Sequence, residues 1–95
     1  MTHVMARIVV KPESAEEARA ILLQLVAASR REAGCVSYEL FRRPDAPHVF
    51  QTFEAWSDQA AADAHMKTPH IAAAIAAAAP MFASAPEIVV FENLL

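Results

Sequence analysis

The stretch that decides the fold is SAEEARAILLQLVAASRREAG, which runs from Ser14 to Gly34. It opens with a capping box, in which the Ser14 hydroxyl and the Glu17 carboxylate each satisfy a free amide of the first helical turn. Apolar residues then recur at positions 18, 21, 22, 25 and 26, the spacing of one helical face. Arg30 and Arg31 suit the negative end of the helix dipole, and Gly34 is expected to end the helix in a left-handed conformation. The stretch therefore predicts an amphipathic helix.

Four segments with the composition of strands surround this helix. They are His3–Lys11, Cys35–Arg43, His48–Trp56 and Glu87–Asn93. The turn Pro44-Asp-Ala-Pro47 predicts that the second and third strands form a hairpin. Asp58 can cap a short helix over residues 58–66, and Thr68-Pro69 begins another helix that ends near Ala79. The order β-α-β-β-α-β predicts a ferredoxin-like α+β fold, an antiparallel sheet with helices on one face.

Composition limits the class of protein. The 95 residues predict one domain over residues 1–95, and a net charge of −3 argues against nucleic acid as a partner. The single glycine excludes phosphate-binding glycine loops, and the single cysteine excludes an internal disulfide and a cysteine-based zinc site. No signal-peptide pattern is present, and no apolar run approaches the ~20 residues of a membrane span. The sequence thus predicts a cytoplasmic protein with no membrane partner.

The two faces of the predicted sheet differ in polarity, because strand side chains alternate between faces. The more apolar set is assigned to the helix side: Val4, Ala6, Ile8, Val10, Val36, Tyr38, Leu40, Phe50, Thr52, Glu54, Trp56, Ile88 and Val90. The opposite set still contains Met5, Val9, Phe41, Val49, Phe53, Val89 and Phe91. An apolar surface of this kind usually marks an interface. A homodimer with two sheets facing each other is therefore expected.

One residue on the apolar helix side of the predicted sheet carries a carboxylate. Glu54 shares its stripe with Phe50, Thr52 and Trp56, and burying a carboxylate is costly unless it is paired or protonated. The nearest candidates to pair with Glu54 are His65 and Tyr38. A glutamate–histidine pair in an aromatic pocket is a plausible acid–base site, although a purely structural pair would explain the burial equally well.

Three motifs in register resemble a known family. Glu32-Ala-Gly-Cys-Val-Ser-Tyr38 resembles the E-x-G-C-x-x-Y of the antibiotic-biosynthesis-monooxygenase domain. Phe53-Glu-Ala-Trp-Ser-Asp58 resembles its E-x-W-x-D strand end, and His65-Met-Lys-Thr-Pro-His70 its H-x-x-T-P-H helix junction. The resemblance covers nearly the whole chain. It implies a dimeric α+β barrel with a pocket between sheet and helices, in a family of which many members use no metal, flavin or other cofactor.

The same resemblance offers several chemistries, since the family includes quinol monooxygenases, anthrone-type oxygenases, heme-degrading enzymes and an isomerase of a phosphorylated autoinducer. Heme degradation is disfavoured, because Ile8 and Ile75 occupy the places of that branch's strand asparagine and iron-ligating histidine. His65 and His70 are five residues apart across a Thr-Pro break and are not expected to share a metal. No metal site is therefore predicted.

The lead hypothesis is a cofactor-independent monooxygenase that oxidises a hydroquinone or anthrone with dioxygen, as the resemblance implies. His65, supported by Glu54, is the predicted base. Substrate contacts are predicted at Trp56, Tyr38, Phe50, Thr52 and His70. The alternatives are an isomerase, in which Arg42 and Arg43 would contact an anionic substrate, and a dimer that only binds a small aromatic metabolite.

Overall fold

Four antiparallel strands form one sheet in a computed structural model that describes residues 1–95. The strands are β1 (Thr2–Val9), β2 (Cys35–Arg43), β3 (Ala46–Trp56) and β4 (Glu87–Phe91), and their order across the sheet is β2-β3-β1-β4. The helices are α1 (Ala15–Ser29), α2 (Gln59–His65) and α3 (Pro69–Ala78). The predicted ferredoxin-like fold is confirmed. No helix combines the length and the apolar character that a membrane crossing requires.

Helix α1 buries the predicted face but begins and ends differently from the prediction. Ser14 closes a short 3-10 turn with φ −98° and ψ 2°, and its side chain makes no capping hydrogen bond. An N-cap side chain reaches the helix amides from extended backbone, so the capping box with Glu17 does not form. At the other end the helix stops at Ser29, and Gly34 has no positive φ. The predicted left-handed ending at Gly34 is therefore wrong.

Gly34 has a packing role instead. Its carbonyl accepts a hydrogen bond from the Ser57 amide at 2.8 Å, and a Cβ at this position would collide with the Cβ of Ala61 on α2. The absence of a side chain lets the loop between α1 and β2 approach α2 closely. This contact brings Glu32, two residues before Gly34, against the end of α2.

The hairpin of β2 and β3 is tighter and less regular than predicted. Its turn consists of Pro44 and Asp45 alone, since β3 begins at Ala46. The pairing shifts between Cys35 and Ser37, where a bulge interrupts the ladder. Val36 lies at this bulge and is 55% exposed, so its predicted place on the helix side is wrong.

The two faces of the sheet separate largely as the alternation predicts. The helix side contains the buried residues Val4, Ala6, Ile8, Tyr38, Phe50, Thr52, Glu54 and Trp56. Ile88 and Val90 belong to the same side but are half exposed, because β4 is an edge strand. On the opposite face Phe41, Phe53, Val89 and Phe91 are 42–55% exposed. Phe41 and Phe53 meet edge to face there, with ring centroids 5.3 Å apart.

Candidate active site

A cavity of about 140 Å³ lies between the helix side of the sheet and the helices. Residues from all four strands and all three helices line it, and 16 of the 22 are hydrophobic. None of the lining residues is a lysine or an arginine. Since an engineered apolar cavity of roughly 150 Å³ takes up benzene, the space suits a small, uncharged aromatic ring.

Glu54 lies in the wall of this cavity, 6% exposed, and neighbours on its own strand satisfy it. The Thr52 hydroxyl donates to Oε2 at 2.6 Å, and the Trp56 indole N–H donates to Oε1 at 3.1 Å. Thr52 Oγ1 in turn accepts the Ala6 amide of β1 at 2.9 Å. Residues two apart on a strand share a face, so β3 itself supplies both donors. The predicted pairing of Glu54 with His65 is wrong, because no hydrogen bond joins them.

His65 pairs with a different carboxylate. It is the last residue of α2, is 3% exposed, and its Nδ1 lies 2.7 Å from Oε2 of Glu32. A carboxylate oxygen only accepts, so Nδ1 carries the proton of this hydrogen bond. The other ring nitrogen, Nε2, makes no hydrogen bond within the chain, and the His65 side chain lines the cavity. In neutral His65 that nitrogen is the unprotonated one, as a general base requires.

His70 is hydrogen-bonded to the same oxygen of Glu32. Its Nε2 also lies 2.7 Å from Glu32 Oε2, and the two imidazole centroids are 6.0 Å apart. Thr68 shapes the junction between α2 and α3, because its hydroxyl donates to the His65 carbonyl at 2.8 Å and accepts the Ile71 amide at 3.4 Å. The sequence predicts that the Thr68-Pro69 break separates the two histidines, but in the structure both contact Glu32. The potential ligand atoms of Glu32, His65 and His70 thus lie within 4.8 Å of one another.

Two aromatic rings hold His65 in place. The His65 ring lies against the Trp56 ring at a tilt, with centroids 4.6 Å apart and an interplanar angle of 32°. The Tyr38 ring is 5.7 Å from His65 and meets Trp56 edge to face at 6.3 Å. Burial, and after it the charge of Glu54, raises the pKa of the Tyr38 phenol well above its usual range. Tyr38 therefore keeps its proton and can act as a donor, not as a base.

Comparison with known proteins identifies the family. The model of the antibiotic biosynthesis monooxygenase family matches residues 1–77. The chain belongs to the antibiotic biosynthesis monooxygenase family. A solved structure described as an antibiotic biosynthesis monooxygenase superposes over 100% of both chains with a TM-score of 0.94 at 27% identity.

Other relatives extend this similarity. The structure of PA3566 from Pseudomonas aeruginosa is 31% identical, with a TM-score of 0.91 over 99% of this chain and 94% of that one. An uncharacterised protein from Synechocystis sp., sll1783, is 32% identical over 94% of this chain, and Rv0793 from Mycobacterium tuberculosis is 33% identical over 70% of it. The chain spans 60% and 65% of the lengths of these last two relatives.

In this member of the antibiotic biosynthesis monooxygenase family, most predicted site residues meet at the cavity. The lining includes Trp56, Tyr38, Thr52, Glu54 and His65. Phe50 does not line it, because its side chain packs instead into the core formed with Ala18 and Leu22 of α1. His70 does not line it either, and its side chain is hydrogen-bonded to Glu32 instead. The cavity lining therefore lacks two of the predicted substrate contacts, Phe50 and His70.

Sequence reasoning missed Glu32 as a site residue. Glu32 lies in the loop after α1, 33 residues before His65, and its side chain is only 16% exposed. The one available signal was its place at the head of the E-x-G-C motif. The periodicity of strands and helices says nothing about a loop, so the pattern alone could not pair Glu32 with a helix end.

Proposed function

We propose that the protein is a cofactor-independent monooxygenase that oxidises a small hydroquinone with dioxygen, and that His65 is its general base. The observation that carries the proposal is the geometry of His65. Glu32 holds its Nδ1, while its Nε2 makes no hydrogen bond to the protein and the His65 side chain lines a mostly apolar cavity. A carboxylate that orients a histidine in this way fixes the tautomer and stabilises the imidazolium formed after proton transfer.

The proposed reaction begins when Nε2 takes a phenolic proton of the hydroquinone. The resulting anion is electron-rich, and the substrate itself supplies the electrons that reduce dioxygen. One oxygen atom is added to the ring and the other leaves as water, so that a hydroxyquinone is formed. The protonated Tyr38 phenol and the Trp56 ring would hold the anion in place. This scheme requires no flavin or metal.

The cavity supports a small substrate more than a large one. A volume of about 140 Å³ accommodates one aromatic ring, whereas a three-ring anthrone would have to extend past the half-exposed Ile88 and Val90 of β4. We therefore place hydroquinones ahead of anthrones in the proposal.

Oxygen uptake with a panel of hydroquinones tests the assignment. His65→Ala should lower turnover by about 10²-fold or more, the usual contribution of a general base. The matched control is His48→Ala, because the imidazole of His48 makes no hydrogen bond and lies outside the cavity. Labelled dioxygen should appear in the product of the wild-type protein. Equal uptake by wild type and His65→Ala would refute the base, and binding of a hydroquinone without any product would favour a binding protein.

The isomerase alternative lacks a structural basis for its anionic substrate. Arg42 pairs with Glu16 and Arg43 with Asp45, each at 2.7 Å, and neither arginine lines the cavity. A phosphorylated substrate in the cavity would meet no cation from this chain. The mostly apolar lining, whose charged groups are the carboxylates Glu54 and Asp63, instead matches the uncharged hydroquinone that we propose.

We also propose that two copies associate through the open face of the sheet. Phe41, Phe53, Val89 and Phe91 form an exposed apolar surface there, and exposed surfaces of this kind commonly become interfaces. A cytoplasmic location is part of the same proposal, because Cys35 is a free thiol and a reducing compartment keeps it so. Sedimentation of the wild type against Phe53→Glu tests the dimer, since a monomeric wild type would refute it.

A further inference from the structure

Three potential ligand atoms converge at the junction of α2 and α3. They are Nδ1 of His65, Nε2 of His70 and Oε2 of Glu32, all within 4.8 Å of one another. Each nitrogen lies 2.7 Å from the shared oxygen. We infer that these three residues form a binding site for a divalent transition-metal ion such as Zn²⁺, and that the bound ion prevents His65 from acting as a base.

The donor set selects the class of ion. Two imidazole nitrogens and one carboxylate oxygen suit Zn²⁺ and its neighbours in the first transition row, whereas Mg²⁺ and Ca²⁺ prefer oxygen ligands. Ligands about 2.0–2.2 Å from a tetrahedral ion are roughly 3.4 Å apart. Each nitrogen–oxygen distance would therefore have to open by about 0.7 Å from its present hydrogen-bonding value, and the two nitrogens, which lie within 4.8 Å of each other, would have to approach by up to about 1.4 Å.

The surrounding structure allows this adjustment. His65 is held by its place at the end of α2 and by the Trp56 ring, so the adjustment falls on His70 and Glu32. The His70 side chain extends from the first turn of α3 and is partly exposed, so it can turn toward the ion. Glu32 comes from a loop, so its side chain can withdraw without disturbing a helix. The side chains of His70 and Glu32 are 27% and 16% exposed, which leaves solvent access for the ion and for a water molecule in its fourth position.

Metal binding has a chemical consequence for His65. An ion on Nδ1 occupies the lone pair of that nitrogen, and the single proton of the neutral ring then resides on Nε2. Nε2, the proposed base, becomes a donor and loses its capacity to accept a proton. Binding of the ion does not depend on the proposed reaction, whereas inhibition of turnover does.

Calorimetric titration with Zn²⁺ alone, on protein first dialysed against a chelator, tests the site. Wild type and the matched control His48→Ala should bind one ion per chain. His70→Ala and Glu32→Gln should bind at least about tenfold more weakly, since each has lost a ligand or its charge. Circular dichroism of each variant checks that it is folded. Absence of binding in the wild type, or equal affinity in folded His70→Ala, would overturn the assignment.

Nitrogen NMR of the histidine rings tests the consequence without any substrate. Before addition of Zn²⁺, Nε2 of His65 should have the chemical shift of an unprotonated nitrogen. At saturation it should have that of a protonated one. An unchanged His65 tautomer in the zinc-bound protein would refute the inhibitory role. Because neither experiment measures turnover, failure of the monooxygenase proposal would leave both results interpretable.

Discussion

Two carboxylates, Glu54 and Glu32, lie close to the candidate base but are held in opposite ways. Glu54 accepts hydrogen bonds from Thr52 and Trp56, each two residues away on the same strand. Glu32 accepts from His65 and His70, which are 33 and 38 residues away. Glu54 therefore braces the sheet locally, whereas Glu32 joins a loop to the junction of two helices. Glu54 is the more buried of the two carboxylates, yet Glu32 is the one that orients His65.

The largest expected effect is on stability, from Glu54→Ala. The substitution removes the acceptor of two buried donors, the Thr52 hydroxyl and the Trp56 indole, and each unpaired donor costs about 1–3 kcal/mol. We expect the free energy of unfolding to fall by about 3 kcal/mol, measured by urea denaturation. The control Glu39→Ala breaks only a half-exposed ion pair with Arg30 and should cost less than about 1 kcal/mol. Equal losses of unfolding free energy in the two variants would show that the hydrogen bonds to Glu54 do not stabilise the sheet.

Glu32→Gln should affect turnover more than stability. The amide oxygen can still accept a hydrogen bond, but the negative charge that stabilises the imidazolium is gone. We expect kcat for hydroquinone oxidation to fall by about 10²-fold, while the loss of unfolding free energy stays below that of Glu54→Ala. Glu39→Gln removes a charge outside the cavity and serves as the control. Full turnover in Glu32→Gln would leave His65 without its proposed orienting partner.

The fold was predictable because its signals are local. The apolar spacing in α1, the Asp58 and Thr68 caps and the alternation along β3 each depend on residues near one another in sequence, and the structure contains all of them. Glu54 and its neighbours were placed on the correct face for the same reason.

The features that the sequence did not predict correctly are formed by contacts between segments distant in sequence. The loop position of Gly34 follows from its close approach to Ala61, and the exposure of Val36 follows from a bulge in the pairing of two strands. The pairing of Glu32 with His65 and His70 requires both the loop and the helix junction to be in place. Each of these features appears only when the whole chain is folded, so a reading of local periodicity could not reach them.

The smallest effect uses Cys35 to compare the two carboxylates directly. The pKa of the Cys35 thiol is raised above its usual value. Burial has the largest effect, the charge of Glu32 the second largest, and the charge of Glu54 a smaller one. Because the thiolate is the reactive form, Cys35 should react with iodoacetamide at mildly alkaline pH more slowly than a free cysteine does. Removing a nearby negative charge lowers the pKa of the thiol and increases the thiolate fraction at a given pH. Alkylation should therefore be fastest in Glu32→Gln, intermediate in Glu54→Gln and slowest in the wild type.

Cys35 is the only cysteine of the chain, so the alkylation rate reports this one site. Glu39→Gln is again the control, because Glu39 does not contribute to the shift in the Cys35 pKa. A faster reaction in Glu54→Gln than in Glu32→Gln would mean that the strand carboxylate, and not the loop carboxylate, dominates the electrostatics at the start of β2. That result would also weaken the proposal that the charge of Glu32 stabilises the His65 imidazolium. The effect on His65 and the effect on the Cys35 thiol both require an ionised Glu32 carboxylate.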